Sequence, residues 1–204
     1  MHKWMIPVAG LSGIALVMAA QGSVAATSAV IYGLGNIGLY CVSAAAHYKI
    51  WDVERLHFLF QLDHSMILIY IVASTTPIAL VAIGGGTGIA LLAGMVLMTG
   101  LGVAAVWLPF HPPRGFMNTL FFVVAWWPIL FAKPLANGLG GVGLALLLLG
   151  GALYSVGALV VGSQRPDPNP DVFGYHEIWH IFVIAAGIVH YVLMWNIVSG
   201  NSPL

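Results

Sequence analysis

Long apolar runs constrain this chain more than any other feature. Seven of them, at roughly 4–22, 26–47, 62–83, 88–109, 116–133, 138–161 and 175–198, leave little sequence between them. A helix needs about 20 mostly apolar residues to cross the hydrocarbon core of a bilayer. In lipid a spanning segment must satisfy its own backbone hydrogen bonds, so each run is expected to be helical. Only 6% of the 204 residues are charged and 60% are hydrophobic. Soluble domains carry roughly 25% charge, and this chain cannot cover a water-facing surface with so little. The expected fold is therefore an all-α integral membrane protein of seven transmembrane helices. The connections are too short for a soluble domain, so residues 1–204 form one domain.

The first run also has the basic start, apolar middle and small-residue end of a signal peptide, with Ser23-Val24-Ala25 at its close. Its apolar stretch is long for a signal, and a retained helix is the expectation. With the N-terminus on one side, Lys3, Lys49, Arg55, Arg114 and Arg165 all fall on that side, and only Lys133 falls on the other. Basic residues collect in cytoplasmic loops, so the N-terminus is expected inside and the C-terminus outside.

Several function classes drop out. The formal net charge is zero and no basic patch exists, which excludes nucleic acid as a partner. The lone Cys41 can form neither an intrachain disulfide nor a multi-cysteine metal site, and is expected to pack as a small hydrophobe. The 25 glycines, dense in the sixth run, suit close helix packing in lipid. "GGGTG" at 84–88 reads as a turn, since no Lys follows it to make a phosphate loop. The proline-rich segment 163–174 ends the sixth helix, with Asp171 as expected N-cap of the seventh. The last run holds no Lys for a retinal Schiff base. The helices carry neither the charged rings of a pore nor a visible inverted repeat.

Ionisable residues at membrane depth are costly and mark function by default. Here they are His47, Asp63, His64, His176, Glu177, His180 and His190. Ser43 and His47 share one face at the inner end of the second run. Asp63 is expected in the first turn of the third helix, and His176 and His180 share a face in the first turns of the seventh. Five residues from three helices thus converge on one level. Three imidazoles suit a catalytic zinc, which takes three protein ligands and lowers the pKa of water. Asp63 would hold or deprotonate that water, and Ser43 would donate to an oxyanion or to Asp63. Competing structural readings make Asp63 a cap of the third helix and let Ser43 bond its own backbone.

His176-Glu177-x-x-His180 also matches the zinc-protease pattern, in which the Glu is the base. The third zincin ligand lies downstream, yet the sole His after His180 is His190, roughly 21 Å beyond His176 along a helix. His47 is at the right depth. His64 competes with it, but points about 100° away from Asp63 around the helix. Glu177 is expected to pair or face the rim.

Ser43-x3-His47, "LDHSMILIYIVASTTP" at 62–77 and "RPDPNPDVFGYHEIWHIFVIAAGIVHY" at 165–191 arrive in order. Together they resemble the hemolysin III family, related to the adiponectin and progestin receptors and more distantly to the alkaline ceramidases. The resemblance implies seven helices with a cytoplasmic N-terminus. It implies zinc on His47, His176 and His180, with Asp63 at the metal-side water and Ser43 beside it. It also implies hydrolysis of lipid amides or esters, membrane lipids as partners and substrate, and a role in membrane lipid homeostasis. The bacterial members suggest a multi-pass protein of the inner membrane. The chain departs from the family in lacking its acidic segment before the first helix, and in "STTP" at 74–77, a change expected to touch packing more than metal. Two other readings compete: a membrane-perturbing, pore-forming hemolysin, and a receptor-like regulator with structural zinc.

Overall fold

A computed structural model describes residues 2–47, 50–109, 115–170 and 172–200. Lys49, Arg114 and Asp171 lie outside the described residues. The described chain is helical throughout, with only an isolated bridge, Asn169 to Phe173, between α6 and α7. The helices are α1 (Met5–Ala19), α2 (Ser23–His47), α3 (Val53–Pro77), α4 (Gly85–Val106), α5 (Phe116–Trp126), α6 (Ala132–Ser163) and α7 (Tyr175–Val198).

Five stretches are long and apolar enough to cross a membrane: Ser23–His47, Val53–Ile83, Gly85–Val106, Phe116–Ser163 and Tyr175–Val198. The 15 residues of α1 fall short of the usual spanning length. This helix nevertheless packs on α2 and α7, burying Ala9 and Leu16 and accepting the Tyr191 hydroxyl at the Ser12 carbonyl, 3.1 Å away. The Phe116–Ser163 stretch is not one rod. It passes through a 3-10 turn, Trp127–Phe131, and breaks at Gly140, whose φ of 64° and ψ of −176° are not helical. The break sits beyond the 133–138 boundary expected from hydropathy, because a left-handed φ needs glycine whereas Lys133 and Pro134 fit a first helical turn.

The third helix begins before its apolar run. Asp52 caps it, accepting the Arg55 backbone N–H at 2.9 Å and pairing with the Arg55 guanidinium at 3.2 Å. Hydropathy marks where a helix is apolar, not where it starts, so the polar turns from Val53 escape it. Asp63 therefore lies ten residues into α3, neither in its first turn nor at its cap. At its other end Thr75 and Thr76 turn their hydroxyls back onto Ile71 and Val72, and Pro77 has no N–H to give. The helix loosens into a π-turn, Ile78–Ile83, and stops at Gly84 with φ 65°. The "STTP" segment thus shapes this distant end. An open cleft of about 460 Å³ lies there, lined by Gly84, Gly85, Asn137 and Gly138 among others.

Helices α6 and α7 pack through Gly143, Gly150 and Gly157, one every seventh residue. A Cβ on Gly150 would run into the His190 ring, and one on Gly157 would lie 2.7 Å from the Trp179 ring. These glycines let the two backbones approach, the packing that lipid-buried helices need. Cys41 corrects an expectation. It faces outward from the bundle rather than packing within it, because α2 turns its Tyr40 and Ser43 face inward instead.

Candidate metal centre

Two helix ends build the site. His47 is the last residue of α2, and its Nδ1 donates to the Ser43 carbonyl at 3.0 Å. A carbonyl can only accept, so the proton sits on Nδ1 and the Nε2 lone pair points away from the helix. His176 and His180 stand one turn apart at the start of α7. Two carboxylates hold that start in place. Glu177 Oε2 accepts the Gly174 N–H at 2.9 Å, and Asp167 Oδ1 accepts the Tyr175 N–H at 3.1 Å. Among the described residues the cap of α7 is thus Gly174 with these two acids. The three Nε2 atoms converge: His47 to His176 is 2.9 Å, and His176 to His180 is 3.0 Å. The three offer one ligand atom each, all within 4.8 Å of one another.

Hydrogen bonding alone cannot account for this arrangement. An imidazole nitrogen carries either one proton or one lone pair. His176 Nε2 faces two other ring nitrogens at bonding distance, and His47 presents a lone pair. With its proton given to His47, His176 has nothing left to accept from His180. A cation among the nitrogens resolves the conflict. Tetrahedral zinc with ligands at 2.0–2.1 Å sets its nitrogens about 3.3 Å apart, close to the 2.9 and 3.0 Å separations here, with all three within 4.8 Å of one another. Three neutral imidazoles suit zinc, as they suit copper, iron or nickel. Access is one-sided. His180 is 7% exposed, whereas His47 lies open at the rim.

Beside this triad lies the carboxylate. Ser43 is buried, and its hydroxyl donates to Asp63, which also lies within electrostatic reach of His47. Asp63 is not among the clustered ligands of the described residues. Through Ser43 it is tied to the helix that carries His47. The other candidates separate from the site. His64 turns to the Phe121 ring, centroids 5.8 Å apart. His190 is buried, its Nε2 meeting the Leu147 carbonyl at 3.4 Å. Glu177 caps its own helix, a role its expected pairing or place at the rim did not name. Sequence reasoning misses Asp167 as a positioning residue. The only signal for it is its place among the prolines of 166–170, which fix the loop that delivers it.

Fold and site together define a polytopic helical membrane protein with a histidine triad able to hold a metal ion. The chain belongs to the haemolysin-III-related family, whose model matches residues 1–191. It is 35% identical over 158 residues to Hemolysin-3 of Bacillus cereus, covering 76% of this chain and 67% of that one. It is 31% identical over 161 residues to the Hemolysin-3 homolog of Bacillus subtilis (strain 168), covering 77% and 70%. It is also 28% identical over 174 residues to the human monocyte to macrophage differentiation factor, covering 83% and 69%. The family expected from the three motifs is the family found.

Proposed function

We propose that this protein is a zinc-dependent intramembrane hydrolase of lipid amides or esters that acts in membrane lipid homeostasis. The convergence of the His47, His176 and His180 Nε2 atoms carries the reading. In this reading α1 counts as a span, and Phe116–Ser163 crosses twice with its turn near Gly140. A straight helix of its 48 residues would be about 72 Å long, more than twice a hydrocarbon core of about 30 Å. Seven crossings and the basic-residue bias then put the N-terminus in the cytoplasm of a bacterial cell, with the triad near the cytoplasmic face and the C-terminus outside.

His47, His176 and His180 hold the zinc, which when bound supplies a Lewis acid and lowers the pKa of water. The Ser43 carbonyl fixes the His47 tautomer, as outer partners of ligating histidines do. Asp63 takes the proton that hydrolysis releases from water and passes it to the leaving group. Ser43 keeps the Asp63 carboxylate aimed and satisfied in a dry setting. The open rim at His47 admits the substrate carbonyl. Metal analysis of the purified protein tests the reading: zinc near one per chain in the wild type and none in His176→Ala. A wild type without zinc sinks it.

A second reading draws on the printed name of the bacterial relatives, Hemolysin-3. A membrane-perturbing protein would release dye from liposomes after all three His are replaced, whereas the hydrolase would not. A receptor-like regulator with structural zinc would unfold on chelation without ever turning over a lipid.

A further inference from the structure

Four tyrosine side chains meet inside the bundle, away from the triad: Tyr32 and Tyr40 of α2, Tyr70 of α3 and Tyr154 of α6. Tyr32, Tyr40 and Tyr70 are 1%, 3% and 5% exposed. The Tyr32 and Tyr70 rings lie 6.1 Å apart, and the hydroxyls of Tyr32, Tyr70 and Tyr154 are near enough to interact. Yet among the described residues the fully shielded oxygens of Tyr32 and Tyr70 meet no partner in hydrogen-bond geometry. On the fourth side α7 offers Gly187, where a Cβ would lie 3.4 Å from the Tyr40 hydroxyl and 3.7 Å from that of Tyr154.

The register is regular. Tyr40 is seven residues from His47, Tyr70 seven from Asp63, and Gly187 seven from His180. Seven residues are two turns, so each lies on the same helix face as its site residue and about 10 Å deeper. His190 packs on Tyr154 with ring centroids 5.5 Å apart and uses its Nε2 at Leu147. Tyr191 spends its hydroxyl on Ser12 of α1.

We propose that this tyrosine layer is a hydration site, holding one or more water molecules in the bundle interior two turns deeper than the triad. Buried phenols left unbonded lose their solvation without return. A buried water wants two to four polar partners, and the Tyr32, Tyr70 and Tyr154 hydroxyls, each able to donate and accept, supply them. The groups that act electrostatically on these hydroxyls are other tyrosines, so the proposed guest is water and not an ion. The proposal stands without the hydrolase reading, since it uses none of the triad.

The test is X-ray radiolytic hydroxyl labelling of the full chain in lipid nanodiscs, in H2-18O, read by mass spectrometry. Bound water labels its neighbours even when they are buried. Expected are labelled Tyr32 and Tyr70, several-fold above Met95, a fully buried and intrinsically more reactive side chain in an apolar cluster. The labelling persists after chelation, which separates it from the fate of the metal reading. Tyr70→Phe lowers labelling at Tyr32 and lowers Tm by a few degrees, because a water loses a partner. Labelling no higher than at Met95 overturns the proposal. So does a rise in Tm for Tyr70→Phe, the response of a dry, unbonded hydroxyl. A co-purifying hydroxylated lipid whose extraction alone opens the tyrosines to label overturns it as well. Should Tyr70→Phe fail to fold, the wild-type labelling decides alone.

Discussion

Glu177 separates the two readings of His176-Glu177-x-x-His180. As a protease-type base it would contribute the roughly 10²–10⁴-fold typical of general acid–base catalysis. The structure gives it a different role. Its Oε2 accepts the Gly174 N–H at 2.9 Å and sets a negative charge at the start of α7. Glu177→Gln keeps an acceptor oxygen and loses only the charge, which is worth about 0.3–1 kcal/mol at a helix N-terminus. For a chain of this size that is about 1–4 °C in Tm. Glu177→Ala loses the cap as well, about 1–2 kcal/mol together, or about 2–8 °C. Both variants should retain the zinc of the wild type, and lipid hydrolysis should stay within a few-fold. Thermal unfolding in detergent, zinc content and hydrolysis of a lipid amide measure the three quantities on one preparation. A graded loss of Tm, alanine below glutamine, with activity kept, is the expected pattern. A Glu177→Gln protein with wild-type Tm and zinc but hydrolysis down about 100-fold would refute the capping argument and restore Glu177 as base.

Asp63→Asn should bind zinc as the wild type does and lose hydrolysis by at least about 100-fold, since the proton acceptor is gone; zinc loss in this variant would instead make Asp63 a ligand. His47→Ala should abolish zinc binding while His64→Ala leaves it intact, because His64 packs on Phe121; elemental analysis of the two proteins distinguishes them, and the opposite result would exchange their roles. Gly150→Ala drives a methyl into the His190 ring and should cost about 1–3 kcal/mol of overpacking. Gly141→Ala meets nothing within 4 Å and should gain about 0.4–1 kcal/mol, chiefly by lowering the entropy of the unfolded chain. Opposite Tm shifts are expected, and equal shifts would count against the α6–α7 glycine seam.

What the sequence can reveal follows from counting. Apolar runs report depth, and a period of 3.6 reports the face, so Ser43, His47, Asp63, His176 and His180 can be brought to one level before any coordinates. The same arithmetic excludes His190 and turns His64 away, as the structure does. The register of Tyr40 and Tyr70 is equally readable, seven residues from His47 and Asp63, but tyrosines in an apolar run look like packing until their hydroxyls are seen to converge.

What escapes is whatever does not scale with residue number. Hydropathy is blind to polar helical turns, so it starts α3 near residue 62 although Asp52 caps the helix. It is also blind to backbone sign, so it puts the break in the Phe116–Ser163 stretch before Gly140 rather than at it. Loop conformation decides which acid reaches a helix start, and spacing alone does not point to Asp167, which holds α7 from eight residues before Tyr175. These misses share a consequence for the site. The three histidines themselves stand on helices at predictable heights, but their aim depends on the caps. The Ser43 carbonyl orients His47, and Asp167 with Glu177 anchors the turn that carries His176. A triad whose nitrogens must meet within a few tenths of an ångström is therefore set by two kinds of residue. Those that converge are legible from spacing, and those that aim them become visible only in the fold.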